Sequence, residues 1–121
     1  MAKVLIIDDS PTELHLFQSM LEKAGFETLV ADSGEDGIRQ AAATQPDCIL
    51  MDVVMPGMNG FQATRKLTRD PQTSNIPVIM ITSKDQSTDK IWGMRQGAVE
   101  YLVKPVADKE LVAKIHSVMA A

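Results

Sequence analysis

Along this chain, short runs of apolar residues alternate with stretches whose apolar positions recur every three or four residues. Val4 to Ile7 is the first run, bounded by Asp8, Asp9, Ser10 and Pro11, and such a run closed by turn-forming residues reads as a buried strand. Ser10 to Glu13 has the form of a capping box, with Pro11 at the first helical position, where its missing N–H costs nothing. Leu14, Phe17, Met20, Leu21 and Ala24 then share a helical face until Gly25 ends the helix. Glu27 to Ala31 predicts a second strand. Ser33 predicts the cap of a helix over 34–44 that carries Ile38, Ala41 and Ala42 inward and stops at Pro46.

The apolar run from Cys48 to Met51 is a third strand that ends on a single carboxylate, Asp52, with Pro56 and Gly57 close behind. Asn59 predicts the cap of a helix with Phe61, Thr64 and Leu67 on one face, ended by Asp70 and Pro71. Pro77 to Thr82 is a fourth strand. A helix over 86–96 puts Ile91 and Met94 on its inner face and ends at Gly97. Glu100 to Val103 is a fifth strand. The last helix runs from Asp108 to the chain's end, with Leu111, Val112, Ile115, Val118 and Met119 toward the sheet.

Strand and helix thus alternate five times. Strands that are continuous Val/Ile/Leu runs need cover on both faces, and right-handed crossovers then give an α/β fold with a parallel, doubly wound sheet. No linker, low-complexity tract or repeat interrupts the pattern, so one domain is expected over 1–121.

Composition narrows the function classes. With 12 basic against 16 acidic residues the net charge is -4, which argues against direct nucleic-acid binding. Cys48 is the only cysteine, so no internal disulfide forms, as suits a reducing cytoplasm. No apolar stretch approaches the ~18 residues of a membrane span, and Met1 to Lys3 leads straight into a strand, unlike a signal peptide.

Chemistry is expected where the carboxyl ends of parallel strands share one edge. Strand one delivers Asp8 and Asp9 there, strand three Asp52, strand four Thr82, and strand five Tyr101 followed by Lys104 and Pro105. Three carboxylates this close repel, pushing one toward protonation unless a cation intervenes. Hard oxygen ligands at a hydrated rim suit Mg²⁺. A metal and a lysine together neutralise phosphoryl oxygens, and a carboxylate can itself be the nucleophile, giving an acyl phosphate.

Asp8-Asp9, Asp52, Thr82 and Lys104-Pro105, each after its own strand, resemble the CheY-like receiver domain of two-component response regulators. Asp9 to Glu13, Asn59 to Arg65 and Trp92 to Gly97 are most similar to its stand-alone regulators of twitching motility. The resemblance covers the whole chain and implies a flavodoxin-like (βα)5 fold with strand order 2-1-3-4-5. It implies that Asp52 accepts a phosphoryl group from a phosphohistidine of a sensor kinase. Asp9, Asp52 and the Val54 carbonyl would ligate Mg²⁺, with Asp8 acting through water. Lys104 would pair with the acyl phosphate, across a cis peptide to Pro105. Thr82 and Tyr101 match the family's switch pair. The readout would appear on the face of helix four, strand five and helix five, where a protein effector binds. Such a domain catalyses only its own phosphorylation and slow dephosphorylation.

Taken singly, the same residues have ordinary readings: Asp52 as a turn former, Asp8-Asp9 as acids favoured at a helix start, Lys104 as a solvated loop lysine. Only their joint placement at four strand ends outweighs these. Cys48 reads as a buried structural thiol, His15 and His116 as solvated, the methionines as mostly core, and Trp92 as either half-buried packing or a partner contact. Two other functions compete: a phosphate sink without effector, and an aspartyl-phosphate phosphohydrolase. The latter needs a second acid two positions after the nucleophile, where this chain has Val54. A flavodoxin-like dinucleotide carrier lacks the glycine-rich turn after strand one.

Overall fold

In the computed structural model, which describes residues 2–119, ten elements alternate: β1 (Lys3–Ile7), α1 (Pro11–Lys23), β2 (Glu27–Ala31), α2 (Gly34–Thr44), β3 (Cys48–Met51), α3 (Gly60–Arg69), β4 (Val78–Thr82), α4 (Ser87–Arg95), β5 (Glu100–Val103) and α5 (Asp108–Met119). All strand pairs are parallel, in the order β2-β1-β3-β4-β5. This is the expected doubly wound sheet. The predicted continuation of α5 to 121 lies outside the described residues.

Alternate residues of the strands feed two cores. Leu5, Ile7, Ile49, Met51, Val78, Met80 and Tyr101 face the side covered by α2 and α3. Val4, Ile6, Cys48, Leu50, Ile79, Ile81 and Leu102 face Phe17 and Leu21 of α1 and Leu111 and Ile115 of α5. A strand with both faces covered must be apolar throughout, which is why period-two alternation is missing from the sequence. Burying each such side chain contributes about 2 kcal/mol before entropy is set against it.

The helix starts follow the predicted caps. The Ser33 side chain accepts from the Asp36 N–H, and Asn59 and Gln62 form a complete capping box at the start of α3. Gly25 and Gly97, both with positive φ, close α1 and α4.

Three packing expectations need correction. Ala24 is exposed, because it caps the C-terminus of α1 and does not extend its inner face. In α2 the deeply buried stripe is Gly34, Gly37 and Ala41; Ile38 packs against the core from the flank of that stripe, as expected, whereas Ala42 is only partly buried. A Cβ on Gly37 would lie 2.4 Å from Ile7 Cδ1, so the helix sits too close to the sheet for a large side chain there. The largest departure is α4. Ile91 is 53% and Met94 40% exposed, and the residues turned inward are Gly93 and Gln96. A Cβ on Gly93 would come within 2.7 Å of Met80 Sδ and 3.0 Å of the Tyr101 ring. Close approach at this glycine sets the rotation of the helix, and Ile91, about 200° away, turns outward. Trp92 follows it and is 48% exposed.

Gly60 opens α3 against the backbone that follows β3. A Cβ there would lie 2.0 Å from the Asp52 carbonyl oxygen, and the Gly60 N–H donates to the Val53 carbonyl at 2.9 Å. Since neither backbone can yield cheaply, Gly60→Ala should destabilise the fold by roughly 2–3 kcal/mol. Urea unfolding measures this, and an unchanged midpoint would contradict the packing described.

Candidate functional site

Sheet register assembles the site. Ile7 pairs with Ala31 on one side and Met51 on the other, so the next residues, Asp8 and Asp52, leave neighbouring strands at one level. The Asp52 N–H donates to the Ile7 carbonyl at 2.9 Å and the Asp8 N–H to the Ala31 carbonyl at 3.1 Å. The ladder therefore runs one step past the strands and fixes the backbone of both acids. On the other side Thr82 pairs with Val103, and the Lys104 N–H donates to the Thr82 carbonyl at 2.8 Å. The Lys104–Pro105 peptide is cis, as expected.

Asp8, Asp9 and Asp52 each offer a carboxylate oxygen within 4.8 Å of the others. Asp8 is buried, Asp52 partly buried and Asp9 exposed. Lys104 Nζ lies 3.2 Å from Asp8, 3.3 Å from Glu13 and 3.8 Å from Asp52. Burial pushes the Asp52 carboxyl up from 3.8 to about 6, with repulsion from Asp8 adding to it and Lys104 and the Val53 N–H opposing. For Lys104, burial acts downward, but Asp52, Asp8 and Glu13 outweigh it and hold the ammonium above its ordinary range. The rim thus contains more negative charge than its one lysine balances. Oxygen donors at this spacing fit a hard divalent cation, and among the described residues no Cys or His joins them.

Thr82 and Tyr101 are both buried, and a single backbone links them. The Lys84 N–H donates to Thr82 Oγ1 at 3.3 Å, and the Tyr101 hydroxyl donates to the Lys84 carbonyl at 2.9 Å. Burial, with help from Asp89, Asp52 and Asp85, raises the Tyr101 phenol to about 12, so it stays a donor. Lys84 therefore bonds to both side chains, to Thr82 through its N–H and to Tyr101 through its carbonyl. Val54 follows in the loop, 59% exposed, with no acid to donate a proton.

Matches to known proteins agree with this geometry. The model of the response regulator receiver domain fits residues 4–116. The chain belongs to that family. It is 57% identical over 120 residues to protein PilH of Pseudomonas aeruginosa, covering 99% of both chains. It is 40% identical over 116 residues to the response regulator PleD of Caulobacter vibrioides, of which it spans 26%. Among solved structures, the chemotaxis protein CheY4 of Vibrio cholerae superposes with a TM-score of 0.91 at 32% identity, over 98% of both chains. The receiver domain of a Pseudomonas aeruginosa sensor histidine kinase gives 0.92 at 25% identity, over 99% and 98%, and carries a magnesium ion in its active-site cleft. The sheet order, 2-1-3-4-5, is the one the family resemblance implied.

In the sequence Glu13 reads only as the second half of a capping box. One half forms: Ser10 Oγ accepts from the Glu13 N–H at 3.3 Å. The Ser10 N–H donates instead to Asp8 Oδ1 at 2.9 Å, and the Glu13 carboxylate binds Lys104. The missed signal was its place one turn into a helix that starts at the acidic edge. Cys48, fully buried, has its thiol pushed up to about 12 by burial and is inert. His15 and His116 are exposed on α1 and α5.

A raised carboxyl has a sign in stability. As pH rises from 3.8 to about 6, the unfolded chain releases this proton before the native one, so native stability falls across that window and stays lower above it. Without metal, Asp52→Asn should therefore stabilise the fold at pH 8 by on the order of 2 kcal/mol, the gain fading by pH 4. Thermal unfolding at both pH values reads it out. An equal gain at both would show that ionisation of Asp52 is not the cause.

Proposed function

We propose that this chain is a phosphorylation-controlled binding module in which Asp52 accepts a phosphoryl group from the phosphohistidine of a sensor kinase. The observation that carries the reading is Asp52 itself, a carboxylate at a strand end within 4.8 Å of Asp8 and Asp9 and 3.8 Å from the Lys104 ammonium.

An oxygen of ionised Asp52 attacks phosphorus, the O–P bond forms as the N–P bond of phosphohistidine breaks, and the electron pair leaves with the imidazole. Asp9, Asp52 and the Val54 carbonyl would hold Mg²⁺ directly and Asp8 through water. When bound, the ion neutralises charge on the phosphoryl oxygens. Lys104 pairs with the product, and the Thr82 hydroxyl donates to a phosphoryl oxygen. Lowered by a cation, Asp52 is ionised at neutral pH and available as the nucleophile.

Phosphorylation adds up to ~2 negative charges at the rim. The Thr82 hydroxyl then turns toward them, releasing its contact with Lys84, and the Tyr101 ring moves into the space it leaves. Tyr101 touches α4 at Gly93, so the change reaches the surface of α4, β5 and α5. Ile91, Trp92 and Met94 on α4 and Val103 on β5 supply exposed apolar area there, suited to a protein effector. Val54 in place of a second acid supports slow self-hydrolysis over phosphohydrolase turnover. The 57% identity to PilH supports a stand-alone cytoplasmic role in chemotaxis-like control of type IV pilus twitching motility.

Acetyl phosphate with Mg²⁺ should add one phosphoryl group per chain, seen by intact mass, and Asp52→Asn should take up none. Uptake by Asp52→Asn at the parent rate would reject the assignment.

A further inference from the structure

Lys104 is shared unequally. Its ammonium has three donor directions, and the two nearest acceptors are Asp8 at 3.2 Å and Glu13 at 3.3 Å, with Asp52 farther away at 3.8 Å. Glu13 differs from the other two. Asp8 and Asp52 belong to the carboxylate trio, whereas Glu13 stands on the first turn of α1, facing Lys104 from across the rim. Its backbone is held there by the Ser10 cap, and its carboxylate is free to leave the cap because Asp8 occupies the Ser10 N–H. The Glu13 side chain is 31% and Lys104 17% exposed, so solvent only partly screens the pair.

We infer that Glu13 is a positioning residue that holds Lys104 toward α1 and competes with the phosphorylated Asp52 for its ammonium. This rests on the phosphoacceptor reading of Asp52. A charge on Glu13 that no metal shared by the trio takes up subtracts from the field Lys104 presents to an incoming phosphoryl group. The lysine must loosen its hold on α1 to follow the phosphorus atom. Glu13 thereby sets a brake on phosphorylation built from one side chain outside the acidic trio.

The test is a double-mutant cycle read by the rate of acetyl phosphate labelling, with the lifetime of the purified phosphorylated chain as a second readout. Glu13→Gln should label roughly threefold faster, the size expected of a partly exposed ion pair, and hold its phosphoryl group longer. Glu13→Asp keeps the charge but is one methylene short of Lys104, so it should move the same way. In a Lys104→Met background, Glu13→Gln should change nothing.

An unchanged rate in Glu13→Gln, parent behaviour of Glu13→Asp, or equal acceleration without Lys104 would each overturn the inference while leaving Asp52 as phosphoacceptor. Absence of label on the parent chain, or label surviving Asp52→Asn, would overturn both together.

Discussion

The site depends on repulsion among carboxylates that the fold does not allow to separate. Asp8 and Asp52 leave paired strands at the same level, their N–H groups tied into the sheet ladder, so neither backbone can retreat. Asp9 and Glu13 add charge from the adjoining loop and helix, and a single ammonium stands among them. A site so short of positive charge has a use for a divalent cation, and the Asp52 carboxyl, raised first by its burial, is raised further by repulsion from Asp8.

Glycines hold the surrounding elements close enough to exploit this. Gly60 brings the start of α3 onto the Asp52 carbonyl, and Gly93 brings α4 onto Met80 and Tyr101. The second contact links chemistry to surface. Tyr101 bonds to the Lys84 carbonyl and packs on α4, while the Lys84 N–H bonds to Thr82. Thr82, Lys84, Tyr101 and α4 are thus joined by two hydrogen bonds and one packing contact, the first of them beside the strand end that carries Asp52.

The strands and the acids at their ends were legible in the sequence because both follow from short-range pattern: an apolar run, then a turn, then a carboxylate. Strand order and the meeting of Asp8, Asp52 and Lys104 followed from resemblance and parallel topology, and the register agrees. Helix rotation was less legible. In α4 the preference of apolar residues for the interior points to Ile91 and Met94 as the inner face, but a glycine that permits close approach outweighs that preference and turns them out. Glu13 was hidden for a different reason. Its local cap partner is near in sequence, whereas its side chain's partner, Lys104, is close in space but far along the chain, so no local pattern distinguishes the two.

The phosphoacceptor role requires an acyl phosphate to form at one side chain among several crowded acids. Labelling the chain with acetyl phosphate, reducing the product with borotritide and sequencing the peptides measures this directly, because an aspartyl phosphate is converted to tritiated homoserine at its own position. Label at position 52 alone is the predicted result. Label at Asp8, Asp9 or Glu13, or none in the presence of Mg²⁺, would contradict it.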